Sequence, residues 1–491
     1  MSHHEIAAGL QAFLRRRCGD PAAAIDAVVA LAGGASREIY GFDLRASGRP
    51  VQRLVLRMDP APGRLESDRA TEFALLGAAA AAAVSVPAVH WLGSPDDELG
   101  ASFIVMDRVD GQAIARPLLR DTAFARTREA LPAAIARELA RIHAIDLDAP
   151  GLESLRSDAQ NHTRDPAGAE LERYRELQRV AADGHPQPVL VLVARWLAQH
   201  APPVEQSTLV HGDFRVGNLM YDERGLTGVL DWELAHIGDP LEDIGWLSVR
   251  AWRYGAEGRA VGGLCSREHF WELYERESGR AVDPASARYW EVFGNWKWAV
   301  ICMVQAASHR AGRYPNVELA SLGRRVAEVE WELLALLDRE HGGVARRVGP
   351  AARGNAPGRR IDMQDRPIAS ELLEAVAAFI AEEAVPALEG ASRFHGLVAA
   401  NVARIVAREK QLSPALLSEE CERLRELLGS GAEASDETGD YELALRLNLE
   451  LCRRIESGEA DEEPWRSRVL SCLEKSVAAR LAVDNPKVLD R

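Results

Sequence analysis

The chain is short of several things that would narrow its habitat. Six cysteines, Cys18, Cys265, Cys302, Cys421, Cys452 and Cys472, are scattered with no CxxC pair. Their spacing excludes a disulfide frame and a cysteine-rich metal site, and fits thiols kept reduced. No run of about 20 strongly apolar residues occurs, so no membrane span is expected. The most apolar stretch, "ALLGAAAAAAVSVPAV", is alanine-dominated and broken by Pro87. The start, "MSHHEIAAGLQAFLRRRCGD", lacks the apolar core and cleavage site of a secretory signal, and a cytoplasmic location is the expectation. Positive charge is in deficit too. With 59 Lys+Arg against 74 Asp+Glu the net charge is −15, which argues against nucleic-acid binding through phosphate contacts. The deficit is uneven: residues 366–491 hold 16 Lys+Arg against 24 Asp+Glu.

What is present is ordinary for a globular protein, with 47% hydrophobic and 27% charged residues. At 491 residues the chain is too long for one compact core. The first 20 residues read as an amphipathic helix with Ile6, Leu10, Phe13 and Leu14 on one face. "IDAVVAL", "REIYGFDLRA" and "PVQRLVLRMDP" alternate as strands do, with Gly33-Gly34 and Ser47-Gly48 as hairpin turns. A helix from about Asp68 to Ala80 and two strands, "AVHWLG" and "SFIVMDRV", complete a small sheet domain. From about residue 128 the pattern is mostly helical, except for "LVHGDFRVGNLMYDERGLTGVLDWE" at 209–233.

Residues 341–365, rich in Gly, Pro and Arg, read as an interdomain linker. An all-helical region of roughly five helices follows over 366–491. Leu372, Leu373, Val376, Phe379 and Ile380 make one apolar stripe, and Phe394, Leu397, Val398, Val402, Ile405 and Val406 another. Ser413-Pro414 reads as the start of a further helix. Asn401 and Asn448, inside apolar stripes, are expected to be buried and in need of partners. The acidic run at 433–442 reads as a solvated loop.

The chemistry concentrates in 209–233. "HGDFRVGN" sets Asp213 and Asn218 five residues apart in a loop after a short strand, and Asp231 ends a second strand thirteen residues on. A carboxylate and an amide oxygen from neighbouring loops suit Mg²⁺, which takes few protein oxygens and completes its shell with water and substrate phosphates. That leaves Asp213 to orient a hydroxyl and accept its proton, the base role in phosphoryl transfer. The bland alternative is an Asx turn at Asp213 and a helix cap at Asp231, which either aspartate alone would favour. The joint pattern points to phosphoryl transfer.

Together with "ELAHIGDPLEDIGWL", this string resembles the catalytic core of the aminoglycoside phosphotransferase superfamily, relatives of the protein kinases. The branch it is most similar to also forms the kinase half of acyl-CoA dehydrogenase fusion proteins. The resemblance covers about residues 20–340. It implies an α+β, bilobal kinase-like fold over 1–340, with a small antiparallel sheet lobe at about 1–110 and a mainly helical lobe at about 111–340. The region 366–491 looks like an uncharacterised helical domain attached to this branch.

By that likeness Asp213 is the catalytic base, His211 braces its loop, and Asn218 with Asp231 ligates magnesium. Asp239 and Asp243 hold the loop and the helix after it. Gly33, Gly34 and Ser36 would approach the phosphates of ATP, or of GTP, from their hairpin. Arg57 takes the place of the usual third-strand lysine, with Arg53 four residues earlier as the other register, and Glu72 is its ion-pair partner. Met106, Asp107 and Val109 would form the adenine hinge. In "YWEVFGNWKWAVICMVQAASHR", Lys297, His309 and Arg310 are substrate candidates for an anionic group, although packing between helices is the favoured reading of this stretch.

The implied activity is ATP- and Mg²⁺-dependent transfer of a phosphoryl group to a small-molecule hydroxyl, with a hydroxyacyl-CoA as the first acceptor and an aminoglycoside as the second. The rival is a pseudokinase scaffold that binds nucleotide and recruits an acyl-CoA dehydrogenase-type enzyme; the arginine in place of lysine keeps it open.

Overall fold

The computed structural model describes residues 3–31, 38–58, 69–159, 165–204, 206–340, 367–429 and 439–490. Its contacts group into two compact units, Met1–Ala167 with Pro202–Glu291, and Gly168–Ala201 with Val292–Arg491.

The first unit opens with α1 (His3–Cys18), whose Ile6, Leu10, Phe13 and Leu14 are wholly buried, as their spacing predicts. Strands β1 (Ala24–Ala30), β2 (Glu38–Arg45) and β3 (Gln52–Met58) follow, then α2 (Arg69–Ala81), β4 (Val89–Gly93) and β5 (Phe103–Asp107). They form one antiparallel sheet in the order β1-β2-β3-β5-β4. Alternate residues Phe42, Leu44, Leu54, Leu56, Phe103 and Val105 pack with the face of α1 into one core. Phe13 meets Phe103 edge-on at 4.8 Å between ring centroids.

The helical part of this unit comprises α3 (Ala115–Arg120), α4 (Ala125–Ile142) and α5 (Glu153–Ala159). Helix α6 (Pro166–Ala182) begins in the first unit and, with α7 (Pro188–Gln199), lies mostly in the second. The chain returns to the first unit for four short strands: β6 (Thr208–Val210), β7 (Leu219–Asp222), β8 (Gly225–Val229) and β9 (His236–Gly238). Helices α8 (Leu241–Leu247) and α9 (Arg267–Ser278) follow, and α10 (Pro284–Arg310) starts here and ends in the second unit. Gly245 of α8 lies against α10: a Cβ there would stand 2.3 Å from the Trp290 carbonyl carbon, so only glycine fits.

The second unit continues with α11 (Val317–Leu322), α12 (Val326–Glu340), α13 (Ala369–Phe379), α14 (Gly390–Leu428), α15 (Asp440–Glu456) and α16 (Trp465–Asp484). The expected α+β class with an all-helical C-terminal region is what the structure has. Three details differ from expectation. Helix α14 runs unbroken through Ser413-Pro414 for 39 residues, so the expected separate helix is absent. Its buried positions Ala400, Ala407, Cys421 and Leu424 stay in helical phase across the proline, and that packing outweighs the amide Pro414 removes. Asn401 is exposed rather than buried, and half-buried Asn448 bonds the Ala444 carbonyl of its own helix at 3.0 Å. Leu372, Val376, Phe379, Phe394 and Leu397 of the apolar stripes are about half exposed rather than core.

The linker at 341–365 and most of the acidic run at 433–442 lie outside the described residues. Among the described residues no helix is long and apolar enough to cross a membrane.

Candidate active site

The pairing of β6 with β9 and of β7 with β8 sets two loops side by side. One, between β6 and β7, carries His211, Gly212, Asp213 and Asn218; the other, after β8, carries Asp231 and Glu233. Leu230 N–H donates to the Asn218 carbonyl at 2.9 Å and joins them directly.

Asp213 is held from both sides. Asn218 Nδ2 donates to Asp213 Oδ2 at 2.6 Å and to its carbonyl at 2.9 Å. Oδ1 accepts from Trp246 Nε1 at 2.8 Å and from Arg215 Nε at 3.1 Å. The Arg215 guanidinium lies 4.9 Å from the ring centroid of Trp252, which fixes its plane.

His211 is a crossbeam between the loops. Its Nδ1 accepts the Asp213 N–H at 3.2 Å, and Nε2 donates to the Leu230 carbonyl at 3.1 Å. Burial holds its pKa below the ordinary value, partly opposed by the charges of Asp243 and Asp213, so the ring is neutral with its proton on Nε2. Gly212 adopts φ +77°, and a Cβ there would stand 2.3 Å from the Leu234 carbonyl oxygen.

Beneath the loop backbone, Asp243 is fully buried. It accepts His211 N–H at 2.8 Å and Gly212 N–H at 2.9 Å, and lies 3.1 Å from His143 Nε2. His143 Nδ1 in turn meets Tyr274 OH at 2.7 Å. Asp239 accepts Leu241 N–H at 2.9 Å in the turn before α8 and is tied to Trp290 Nε1 at 2.7 Å.

Asp231 sits two residues past β8 in the left-handed region, at φ 63° and ψ 63°. Aspartate tolerates that conformation better than most residues, and here it turns the chain back into the site. Arg57 spans two carboxylates, with Nη1 2.5 Å from Glu72 Oε1 and Nη2 2.8 Å from Asp231 Oδ1. Of the two registers open in the sequence, the structure therefore pairs Arg57 with Glu72. Arg53 is half exposed and bonds Asp110 at 2.8 Å. The other Glu72 oxygen accepts from Arg69, a buried arginine that sequence reasoning missed. Glu233, also missed, has Oε2 4.0 Å from Arg57 Nη2. Burial, then the charge of Asp231, pushes its pKa up to about 7 despite Arg57.

At the hinge, Met106 pairs with Val55 and Asp107 with Leu54 across β3 and β5. Met106 is buried and Asp107 Oδ1 lies 2.7 Å from His90 Nε2. Gly33, Gly34 and Ser36 fall outside the described residues. Lys297, His309 and Arg310 belong to the second unit. Lys297 is buried with its ammonium 5.1 Å from the Tyr174 ring centroid, and Trp296 bonds the Leu190 carbonyl at 3.1 Å. His309 Nδ1 accepts the Asn316 N–H at 3.0 Å. The structure thus gathers Asp213, His211, Asn218, Asp231, Arg57 and Glu72 into one cluster. Trp246, Arg215 and Asp243 join it, and only Asp243 had been singled out in the sequence.

Residues 27–282 match the sequence model of the phosphotransferase enzyme family, and 386–488 match a domain of unknown function, DUF6285. Acyl-CoA dehydrogenase family member 10 of Mus musculus is 34% identical over 199 residues, 40% of this chain and 18% of that protein. The Arabidopsis thaliana protein named "Probable acyl-CoA dehydrogenase IBR3" is 29% identical over 327 residues, 61% of this chain and 38% of that one. The chain therefore spans well under half the length of these relatives. In fold it is similar to a "putative aminoglycoside phosphotransferase" from Ralstonia eutropha, with a TM-score of 0.52 and 23% identity, covering 66% of this chain and 97% of that one. With the family's model running over more than half its length, through both loops of the cluster, the chain belongs to the phosphotransferase enzyme family.

Proposed function

We propose that the protein is a small-molecule kinase that transfers the γ-phosphoryl group of ATP to a hydroxyl, with Asp213 as base. One observation carries the reading. The Asp213 carboxylate is bonded to Asn218, five residues on in the same loop, and Asn218 is joined through Leu230 to the turn that presents Asp231.

The donor set fits a magnesium ion. Asn218 commits its amide nitrogen to Asp213, which leaves Oδ1 for a cation, and Asp231 has a second oxygen beyond the one Arg57 holds. Asp213, Asp231 and Glu233 lie close enough to raise the Glu233 pKa, so the cluster carries negative charge that a divalent cation would offset. When bound, the ion supplies neutralisation of charge on the nucleotide phosphates.

The chain's own residues do the rest. Asp213 orients the acceptor hydroxyl and takes its proton as the oxygen attacks phosphorus and the bond to the leaving ADP oxygen breaks. Arg57, held by Glu72, presents a fixed positive charge to the phosphates. Trp246 and Asn218 keep the Asp213 carboxylate in one orientation. Catalysis then rests on positioning and charge, with no covalent enzyme intermediate. Met106, Asp107 and Val109 would receive the adenine, and Gly33, Gly34 and Ser36 the phosphates.

For the acceptor, a hydroxyacyl-CoA is the first choice, supported by the printed names of the dehydrogenase relatives. The same names support association with an acyl-CoA dehydrogenase-type enzyme. The test is ATP turnover with Mg²⁺ across a panel of hydroxyacyl-CoAs and aminoglycosides. Phosphorylated product from one acyl-CoA is the expected result. Tight nucleotide binding with no product from any acceptor would instead leave a scaffold, a reading favoured by the Arg57 bond that already occupies Asp231.

A further inference from the structure

We propose that the unit of residues 168–201 and 292–491 holds a second binding site, for a small amphipathic anion: an apolar chain ending in a phosphate or carboxylate. This goes beyond the phosphotransfer reading and does not depend on it.

Two cavities inside that unit carry the argument. The smaller, about 460 Å³, has His185, His309, Arg310, Arg324 and Arg480 as its titratable lining and no carboxylate among them. The larger, about 670 Å³, shares His185, Arg324 and Arg480 as wall residues. Elsewhere its wall combines apolar groups, Leu416, Leu417, Leu445, Leu473 and Val483, with the carboxylates Glu409, Glu420 and Asp484. Both volumes lie in the range of about 300–1,000 Å³ usual for small-molecule sites. A chamber lined by nitrogen donors therefore adjoins one that offers hydrocarbon.

Each carboxylate of the larger cavity has a hydrogen-bond partner. Arg324 bonds Glu409 at 2.6 Å and Asp484 at 3.3 Å, and Glu420 accepts from Arg423 at 2.6 Å and Ser476 at 2.7 Å. Arg480 is anchored by the wholly buried Glu330. Since His309 uses Nδ1 to accept from Asn316, its Nε2 is left as a donor. Arg310 is exposed with no carboxylate partner among the described residues. With Arg324 and Arg480 held by carboxylates, the Arg310 guanidinium and the spare His309 donor are what suit a phosphate or carboxylate head. The adjoining leucines suit its chain.

The test is calorimetric titration of the full chain with decyl phosphate below its micellar concentration, beside decanoate, hexyl phosphate, decanol and inorganic phosphate. One-to-one binding of decyl phosphate or decanoate, at least tenfold tighter than of inorganic phosphate or decanol, is expected. Which of the two binds more tightly identifies the head group. Hexyl phosphate should bind more weakly, by up to about fourfold for each methylene lost. The double variant His309→Gln/Arg310→Gln and the single variant Leu445→Glu should each weaken decyl phosphate binding at least tenfold while the chain stays folded. Absence of saturable binding, affinity independent of chain length, or affinity untouched in folded forms of both variants would overturn the proposal. The chain-length series needs no variant, and no arm of the experiment needs phosphotransfer.

Discussion

Asp243, under the Asp213 loop, is sealed from water and Asp484, in the helical unit, is partly buried, and their acidities move in opposite directions. Burial penalises the charge of each. At Asp243 the hydrogen bond and charge of His143, with the His211 amide, outweigh that penalty and hold the carboxyl below the ordinary range. At Asp484 burial wins over Arg324 and Arg480, and the pKa rises from 3.8 to about 6. Enough donors converge on Asp243 that its charge is rewarded; too few converge on Asp484. The difference teaches where the fold invests in polar precision: around the loop backbone of the first unit, far less around the helices of the second.

The comparison can be broken at several points. The largest effect is expected from Asp213→Asn, which should lower the turnover of the phosphotransfer assay by about 10²–10⁴ while nucleotide binding persists. Turnover within twofold of wild type would remove the base assignment. Next is Asp243→Ala. It leaves the His211 and Gly212 amides and His143 without their acceptor, and should cost about 3–5 kcal/mol in denaturant unfolding at pH 7. Because the folded pKa of Asp243 is depressed, its stabilisation is present in full above about pH 4 and is lost as pH falls through the lower folded value. The deficit of the variant should therefore shrink in acid.

Asp484 has the opposite sign. Its protonated form is favoured in the folded state, so stability is lost as pH rises from about 4 towards about 6. Thermal melts should show Asp484→Asn matching wild type near pH 4 and exceeding it at pH 7, by up to about 3 kcal/mol. An equal difference at both pH values would sink the contrast. The smallest effect is expected from Glu330→Gln. Burial raises that pKa as well, and Oε1 has no partner among the described residues, so the substitution should stay within about 1 kcal/mol of wild type.

The sequence revealed the Asp213 cluster because its chemistry is packed into 25 residues, where spacing and residue type can be read together. The sheet was readable for the same reason: its alternation is local. What closes the site was not readable. Trp246 reaches Asp213 from 33 residues away, and His143 reaches Asp243 from 100. Nothing local in the sequence marks Arg69 as the buried partner of Glu72. The grouping of 168–201 with 292–491 also escaped, since periodicity names helices but not their neighbours. Pro414 misled for a related reason: a local breaker was outvoted by a face packed along 39 residues.

The neutral imidazole of His211 has a consequence for what this protein can learn to recognise. It ties one loop's amide to the other loop's carbonyl, so the two loops cannot part without severing it. The Leu230 amide bonded to the Asn218 carbonyl holds the same span, so altering it breaks both bonds. A change of clientele is met at lower cost in the walls around that span.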